Sequence, residues 1–219
     1  MLPPTGRVLD VGGGTGIYAR WLLDLGYEVE VIDPAPVHVG HCTRAGIRAE
    51  TGDARHLQRD DGEYDAVLLL GPLYHLPERD DRLLALREAH RVLRPGGVVG
   101  AAVISRCAGW LDGMHRRVDA LLEHRALVEQ ELRDGRHVTP EGTDLFTTAY
   151  FHDPDEIGPE LSDAGFTGVK VRAIEGPSVF MESIKEVDPE VMADLIEPID
   201  AIPSLIGASP HLLATGRAR

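Results

Sequence analysis

A glycine-rich segment near the start of the chain constrains the fold more than any other feature. The apolar run Arg7–Val11 predicts a β-strand, and it leads directly into the loop Gly12–Gly16. A helix is predicted over Thr15–Leu25, because apolar residues recur there at helical spacing: Ile17, Trp21, Leu22 and Leu25. Glycines let a ligand approach the main chain closely, and the following helix offers unpaired N–H groups. This order of elements predicts a site for a carboxylate or a phosphate.

The alternation of strand and helix continues as far as residue 105. Further strands are predicted at Glu28–Asp33, Ile47–Glu50, Tyr64–Leu70 and Val98–Ser105. Helices are predicted between them at Pro36–Ala45 and Glu78–Leu93, and Arg94–Gly97 is predicted as the turn that ends the second helix. Parallel strands need crossover connections, which helices supply. The sequence therefore predicts an α/β fold with an open, doubly wound sheet.

The pattern changes after the fifth strand. One long amphipathic helix is predicted there from Leu111, Met114, Val118, Leu121, Leu122, Arg125, Val128 and Leu132. We interpret Cys107–Thr148 as a helical lid inserted into a single domain that covers residues 1–219. The remaining predictions are a helix from Asp153 that Pro159 kinks or shortens, a strand at Phe166–Ile174, a last helix from Asp188 and a last strand at His211–Arg217.

Composition limits the classes of partner. The chain has 219 residues, of which 43% are hydrophobic and 26% charged, and it has no apolar run of membrane-spanning length and no secretory signal pattern. Its formal net charge of −14 disfavours a nucleic-acid partner, because phosphate binding needs a basic surface. The two cysteines, Cys42 and Cys107, are interpreted as reduced thiols. We therefore expect a cytoplasmic protein with neither a nucleic-acid nor a membrane partner.

Three strands in succession end in features that suit a nucleotide-like ligand. The glycine loop follows the first strand, Asp33 closes the second, and Gly52-Asp53-Ala54 follows the third. Each carboxylate alone is explained equally well as a solvated loop residue. Ligands of open α/β sheets bind beyond the carboxyl ends of the strands, however, and all three features lie there. Together they indicate that Asp33 accepts hydrogen bonds from ribose hydroxyls and Asp53 from an adenine amino group.

The run Val8–Gly16 resembles the first motif of the class I S-adenosylmethionine-dependent methyltransferases. Later segments resemble the following motifs of that family in order and spacing: Asp33, Gly52-Asp53-Ala54, Asp65–Leu76 and Val92–Gly97. The C-terminal part of the chain, at residues 150–166 and 211–214, is similar to small-molecule methyltransferases of the bacterial type, but less specifically. The resemblance implies a Rossmann-like, seven-stranded, mostly parallel sheet whose last strand runs antiparallel.

The resemblance also implies a cofactor, S-adenosylmethionine, and its product, S-adenosylhomocysteine. It implies a set of binding residues, namely Asp10, Gly12, Gly14 and Gly16 around the methionine end, Asp33 at the ribose, Asp53 and Ala54 at the adenine, and Leu70 and Gly71 beside the methionine. Only six residues precede Arg7, whereas the family usually carries helices before the first strand. Two explanations of this short segment stay open. Either the start of the sequence is truncated or misassigned, or the inserted helix or a partner chain closes the site.

Candidate substrate residues follow the fourth strand and flank the lid. Tyr74 and His75 follow Gly71-Pro72, and His75 is either a general base or a structural residue that bonds a loop carbonyl. Arg106 either contacts an anionic substrate or faces solvent. Tyr150, Phe151 and His152 suit an aromatic wall for a flat acceptor, or the packing of the lid hinge. No metal is expected, because the lid histidines His115, His124 and His137 do not form a compact ligand set.

The sequence is compatible with three functions. The first is in-line methyl transfer to a small-molecule acceptor, which an acidic chain with a lid favours. The second is a non-catalytic S-adenosylmethionine-binding module. The third is a nicotinamide-dependent oxidoreductase, but the loop reads Gly-x-Gly-x-Gly rather than Gly-x-Gly-x-x-Gly. The sequence identifies neither the acceptor nor the atom that is methylated. The apolar stripe of the lid helix either forms a homodimer interface or closes over its own domain.

Overall fold

The computed structural model of the protein describes residues 2–143, 145–180 and 187–219. Its strands are β1 (Arg7–Val11), β2 (Glu28–Asp33), β3 (Arg48–Thr51), β4 (Tyr64–Leu69), β5 (Leu93–Ile104), β6 (Arg136–His137), β7 (Ala149–Tyr150), β8 (Thr167–Ala173) and β9 (His211–Arg217). Its helices are α1 (Ile17–Asp24), α2 (Pro36–Arg44), α3 (Arg79–Val92), α4 (Ala108–Arg116), α5 (Val118–Glu123), α6 (Arg125–Asp134), α7 (Pro154–Asp163), α8 (Pro189–Ile196) and α9 (Pro203–Ile206). Two 3₁₀ turns cover Pro72–His75 and Gly176–Phe180.

Seven strands form one sheet in the order β3-β2-β1-β4-β5-β9-β8. The neighbours from β3 to β5 are parallel. Strand β9 runs antiparallel to β5, because Gly96 N–H donates to Ala218 O and Ser105 N–H donates to Pro210 O, with register moving in opposite directions. The predicted fold class is confirmed. The strand order changes direction between β1 and β4, which is the switch point where open α/β sheets bind ligands.

The chain divides into two compact units. The first contains residues 1–102, 158–170 and 214–219, and the second contains residues 103–157 and 171–213. In the first unit the central strands bury apolar side chains on both faces, as Leu9, Val31 and Val67 show with no exposure. The assignment of residues 1–219 to one domain stays a prediction.

Helix α1 buries a different face from the one its sequence suggests. It forms close to the predicted place, and Ala19 and Leu22 are its buried residues. Ile17, Trp21 and Leu25, whose spacing predicted the helix, are 74%, 55% and 55% exposed. Small Ala19 lets the helix lie close to the sheet, so the larger apolar residues extend to the surface.

The turn predicted at Arg94–Gly97 is wrong, because these residues belong to β5. Leu93 pairs with Tyr64 in the ladder and Val98 pairs with Ala66, so the segment between Leu93 and Val98 bulges out of the register. Helix α3 therefore changes directly into a strand at Leu93, whose backbone is already extended.

The single long helix predicted over residues 111–132 is also wrong. The chain breaks at Arg117 and at His124, which separate α4, α5 and α6. A Cβ built on Gly113 would lie 2.9 Å from the Cβ of Leu121, so α5 approaches the backbone of α4 closely at this point. This contact buries Leu121 and requires the chain to turn at Arg117. The segment is helical as predicted, while its function as a lid stays a prediction.

The remaining helices and strands follow their sequence signals with three additions. Helix α7 continues through Pro159, and the side chain of Asp188 caps α8 by accepting a hydrogen bond from Glu190 N–H at 2.9 Å. The short helix α9 and the two-residue strands β6 and β7 were not predicted. No helix in the described ranges is both long enough and apolar enough to cross a membrane.

Candidate functional site

The loop after β1 has a backbone that only glycine adopts easily. Gly12, Gly14 and Gly16 have φ angles of 70°, 58° and 83°, in the left-handed region. Added Cβ atoms on Gly12 and Gly16 would lie 2.9 Å from Pro72 Cδ and from Cys42 Sγ, whereas a Cβ on Gly14 would meet no atom within 4 Å. The loop is therefore closely packed at both ends and open at its centre, where a ligand can reach the main chain.

Asp10 lies directly below this loop, and its side chain is fully buried. Neither of its carboxylate oxygens has a hydrogen-bond partner among the described residues. Burial, reinforced by the charge of Asp33, raises the pKa of Asp10 to about 7. A buried carboxylate without a partner is rare in folded proteins. This one fits a ligand that donates hydrogen bonds and carries positive charge, such as the ammonium group of an amino acid.

Asp33 closes β2 and is almost completely buried. Its Oδ2 accepts a hydrogen bond from Gly14 N–H at 2.9 Å, and its Oδ1 accepts one from Ala35 N–H at 2.9 Å. His38 Nδ1 lies 3.0 Å from the same Oδ1. Part of the carboxylate thus fixes the glycine loop, and its remaining lone pairs are what a ribose would use. The contact of His38, one turn into α2, was not foreseen from the sequence.

Asp53 has a cation partner within its own loop. Arg55 Nη2 lies 2.6 Å from Asp53 Oδ2, and Arg55 N–H donates to Oδ1 at 2.8 Å. These hydrogen bonds hold the pKa of Asp53 below its usual value. Its side chain is 48% exposed, and the neighbouring Ala54 is buried. Its predicted contact with adenine requires an acceptor position that Arg55 leaves available.

The loop after β4 lies against the glycine loop. A Cβ on Gly71 would lie 3.5 Å from Gly12 O and from Tyr74 Oη, so Gly71 is within van der Waals reach of both. Leu70, just before it, packs against the core of the first unit. The structure therefore places Gly71 and Tyr74 beside the loop, as the sequence predicts.

Tyr74 and His75 form an aromatic pair in the 3₁₀ turn, with ring centroids 4.6 Å apart. Burial, and then the charge of Tyr18, raises the pKa of Tyr74. Partial desolvation lowers the pKa of His75, although the charge of Asp33 opposes this effect. The imidazole of His75 is therefore neutral near pH 7 and able to accept a proton.

In the second unit, the predicted substrate residues surround a carboxylate that the sequence analysis did not identify. Arg106 Nη2 lies 2.7 Å from both oxygens of Glu156, and Tyr150 Oη donates to Glu156 Oε2 at 3.0 Å. Burial opposes ionisation of Glu156, but the bond from Arg106 keeps its pKa below the usual value. His152 is fully buried, and its ring meets that of Tyr150 edge-on at 4.9 Å. Arg106 is thus already ion-paired, and its contact with a substrate stays a prediction.

A second pair in this unit was also missed. His211 Nδ1 lies 2.6 Å from Glu175 Oε1, and Ser209 Oγ donates to Glu175 Oε2 at 3.0 Å. The bond from Glu175 raises the pKa of His211. The pair lines a cavity of about 320 Å³ together with Phe151. A carboxylate that orients an imidazole is the arrangement of many proton-accepting sites. The two partners are 36 positions apart, so they leave no local sequence signal.

The described part of the chain holds no cluster of three or more metal-ligating side chains of the His, Cys, Asp or Glu type. Its thiols, buried Cys42 and half-buried Cys107, are not joined in a disulfide.

Comparison with known proteins agrees with the geometry of the first unit. Residues 8–97 match the family described as "Methyltransferase domain". The chain is 32% identical over 177 residues to a glycine/sarcosine N-methyltransferase of Parasynechococcus marenigrum, covering 77% of this chain and 54% of that protein. It is 30% identical over 106 residues to a ubiquinone biosynthesis O-methyltransferase of Azorhizobium caulinodans, covering 46% of this chain and 41% of the relative. The chain thus spans about half the length, or less, of these curated relatives.

Solved structures share the fold. A methyltransferase from Thermotoga maritima, described as a possible histamine N-methyltransferase, aligns with 100% of this chain and 84% of its own at a TM-score of 0.64 and 20% identity. A putative S-adenosylmethionine-dependent methyltransferase from Listeria monocytogenes aligns with 100% of this chain and 93% of its own at a TM-score of 0.66 and 18% identity. Residues 8–97 are therefore a methyltransferase domain of the class I, S-adenosylmethionine-dependent type.

Proposed function

We propose that this chain transfers a methyl group from S-adenosylmethionine to a small-molecule acceptor. The observation that carries the proposal is the buried carboxylate of Asp10, without a partner among the described residues, below an open glycine loop. A ligand with both an ammonium group and a nucleoside suits this carboxylate and the Asp33 that follows it in the sheet. When bound, S-adenosylmethionine supplies a methyl group on a sulfonium, which is a good leaving group.

The residues of the first unit bind and orient rather than react. Asp10 accepts hydrogen bonds from the ammonium group, and the main chain at Gly12, Gly14 and Gly16 surrounds the methionine end. Asp33 receives the ribose, Asp53 and Ala54 the adenine, and Leu70 and Gly71 line the methionine side. Alignment of donor and acceptor contributes much of the rate of an in-line displacement. The protein's main task is therefore positioning.

A small acceptor is supported by three observations. The relatives named above methylate glycine, sarcosine or an intermediate of ubiquinone biosynthesis, according to their names. The net charge of −14 disfavours nucleic acid. The second unit contains a cavity of about 320 Å³, a size that suits a small molecule. Where the acceptor atom carries a proton, His75 is our first candidate for its base and His211 the second.

The test is a calorimetric titration of the full chain with S-adenosylhomocysteine, with NADH as the control ligand. We expect micromolar binding of S-adenosylhomocysteine alone. Affinity should fall about tenfold from pH 8 to pH 6, because Asp10 has its pKa at about 7 and only its ionised form attracts the ammonium. The Asp10→Asn variant should bind more weakly and lose most of this pH dependence.

Turnover is then assayed as S-adenosylhomocysteine formation with glycine, sarcosine and a catechol as acceptors. Acceptor-dependent turnover excludes the non-catalytic binding module. Binding of S-adenosylhomocysteine with no turnover on a broad panel of small acceptors would favour that module instead. Binding of NADH alone would overturn the cofactor assignment and favour an oxidoreductase.

A further inference from the structure

The helical segment of the second unit lines a half-open cavity of about 250 Å³. Its walls are mainly apolar, and two buried ionisable side chains, Glu131 of α6 and His137 of β6, lie in them. Exposed Asp112 and Arg117 and half-buried His124 also line the cavity. The apolar lining residues include Leu121, Leu127, Val128, Phe146 and Phe151. An engineered apolar cavity of about 150 Å³ holds benzene. This cavity therefore has room for one ring with a short side chain.

The two ionisable residues form a buried pair. Glu131 and His137 are 2% and 5% exposed, and His137 Nδ1 lies 2.6 Å from Glu131 Oε1. His137 Nε2 lies 2.7 Å from the carbonyl oxygen of Phe146. A carbonyl can only accept, so Nε2 carries a hydrogen. The contact between Nδ1 and Oε1 then requires one shared proton, which leaves Glu131 Oε2 as a hydrogen-bond acceptor whichever partner holds that proton.

Glu131 Oε2 has no hydrogen-bond partner among the described residues, and it is buried. An unsatisfied buried acceptor destabilises a folded protein. A Cβ built on Gly109 would overlap this oxygen, and Gly109 lines the same cavity. The oxygen therefore occupies a notch in the cavity wall that only a glycine leaves open. Glu131 Oε2 is therefore a buried acceptor in the cavity wall that the described residues leave unsatisfied.

Aromatic rings stand beside the notch. The ring of His137 stacks on that of Phe151 at a centroid distance of 5.5 Å and an interplanar angle of 15°. The ring of Phe146 lies 6.4 Å from that of Phe151. Aromatic faces attract cations, and a hydrogen bond between an ammonium and a carboxylate is about twice as strong as a neutral one. A ligand with an apolar body and a cationic hydrogen-bond donor therefore fits these rings and the Glu131 carboxylate better than a neutral or anionic ligand does.

We propose that this cavity binds a small primary or secondary amine with an aromatic or aliphatic body. The ammonium donates to Glu131 Oε2 in the notch at Gly109, and the body lies against Phe146 and Phe151. This site goes beyond the proposed methyl transfer, because all its residues belong to the second unit and none of them is assigned to the cofactor. Its test therefore needs no methyl donor.

The probe is 2-phenylethylamine, titrated into the full chain without S-adenosylmethionine and followed by calorimetry and by amide chemical shifts. We expect saturable binding with a Kd below about 1 mM. Phenylacetate and 2-phenylethanol have the same body with an anionic and a neutral group, and they should bind at least about tenfold more weakly.

Three variants locate the site. Glu131→Gln and Gly109→Ala should each weaken amine binding at least about tenfold, because the first removes the charge and the second fills the notch. Glu129→Gln is the matched control, since Glu129 lies on the same helix and pairs with Arg125 at the surface. It should leave amine binding unchanged. Circular dichroism checks that each variant is folded.

Three results would overturn the proposal. They are no binding of the amine at about 10 mM, equal binding of phenylacetate or 2-phenylethanol, and an equal effect of Glu129→Gln and Glu131→Gln. The comparison of the three probes uses the unaltered protein. It therefore tests the preference for an amine even if the Glu131→Gln variant does not fold. Titration with S-adenosylhomocysteine, which depends on Asp10, separates this result from a failure of the proposed function.

Discussion

At the scale of single residues, Asp10 shows how position changes the chemistry of a carboxyl group. Its pKa of about 7 results from burial and from the nearby Asp33, so a large fraction of Asp10 is protonated at neutral pH. Such a group is unfavourable for the protein without ligand and favourable for a cationic ligand. The sequence motif indicated that Asp10 belongs to the site. It could not indicate this pKa, which depends on how fully the first unit buries the side chain.

The pKa of Asp10 predicts a pH-dependent stability. Folding raises this pKa from about 3.8 to about 7. The contribution of Asp10 to the free energy of unfolding is therefore fully present below pH 3.8 and is lost as the pH rises through 7. The loss amounts to about 4 kcal/mol at most. Asp10→Asn removes it, so the free energy of unfolding of the variant relative to the natural protein should rise by about 2–4 kcal/mol between pH 5 and pH 8. Urea denaturation at both pH values measures this difference, and a constant difference would contradict the assignment.

A second prediction at this scale concerns His75. His75→Ala should lower turnover at least about tenfold for an acceptor that must lose a proton, and leave binding of S-adenosylhomocysteine nearly unchanged. Because desolvation lowers the pKa of His75, activity should persist below pH 6.5 before it declines. His41→Ala, at an exposed position of α2, is the control. Full activity of the His75 variant would make this residue structural.

At the scale of elements, strands were predicted better than the helices of the insertion. A parallel strand buried on both faces is a continuous apolar run, as Tyr64–Leu69 is, and such a run is recognisable by itself. The breaks at Arg117 and His124 have no local signal, because both residues are acceptable inside a helix. They depend on the contact between Gly113 and Leu121, which only the folded chain creates.

That contact predicts an unusual response to alanine. Gly113→Ala gains about 1 kcal/mol of helix propensity but places a methyl group 2.9 Å from Leu121 Cβ, so we expect a net loss of about 1–2 kcal/mol. Gly40→Ala in α2 is the matched control, because its new methyl group would meet only the flexible end of Arg44. It should stabilise by about 0.5–1 kcal/mol. Thermal unfolding of the two variants measures these changes in stability. If both substitutions stabilise the protein, the contact between Gly113 and Leu121 is refuted.

At the scale of the whole molecule, the arrangement of the candidate cofactor site was easier to predict from the sequence than that of the second unit. The ends of successive parallel strands meet at one edge of a sheet, so the positions of the glycine loop, Asp33 and Asp53 follow from element order alone. The pairs Arg106–Glu156 and Glu175–His211 join residues that are 50 and 36 positions apart. Nothing in a single sequence links such partners, and those contacts had to come from the structure.

The hydrogen bond from Gly14 N–H to Asp33 also has a kinetic consequence. It fixes the glycine loop in its bent form through the protein's own atoms. A ligand therefore meets a surface that is already shaped, and little ordering of the backbone accompanies its arrival. Capture should then follow a single diffusional step, and variants at the loop should differ in how long the ligand stays rather than in how fast it arrives.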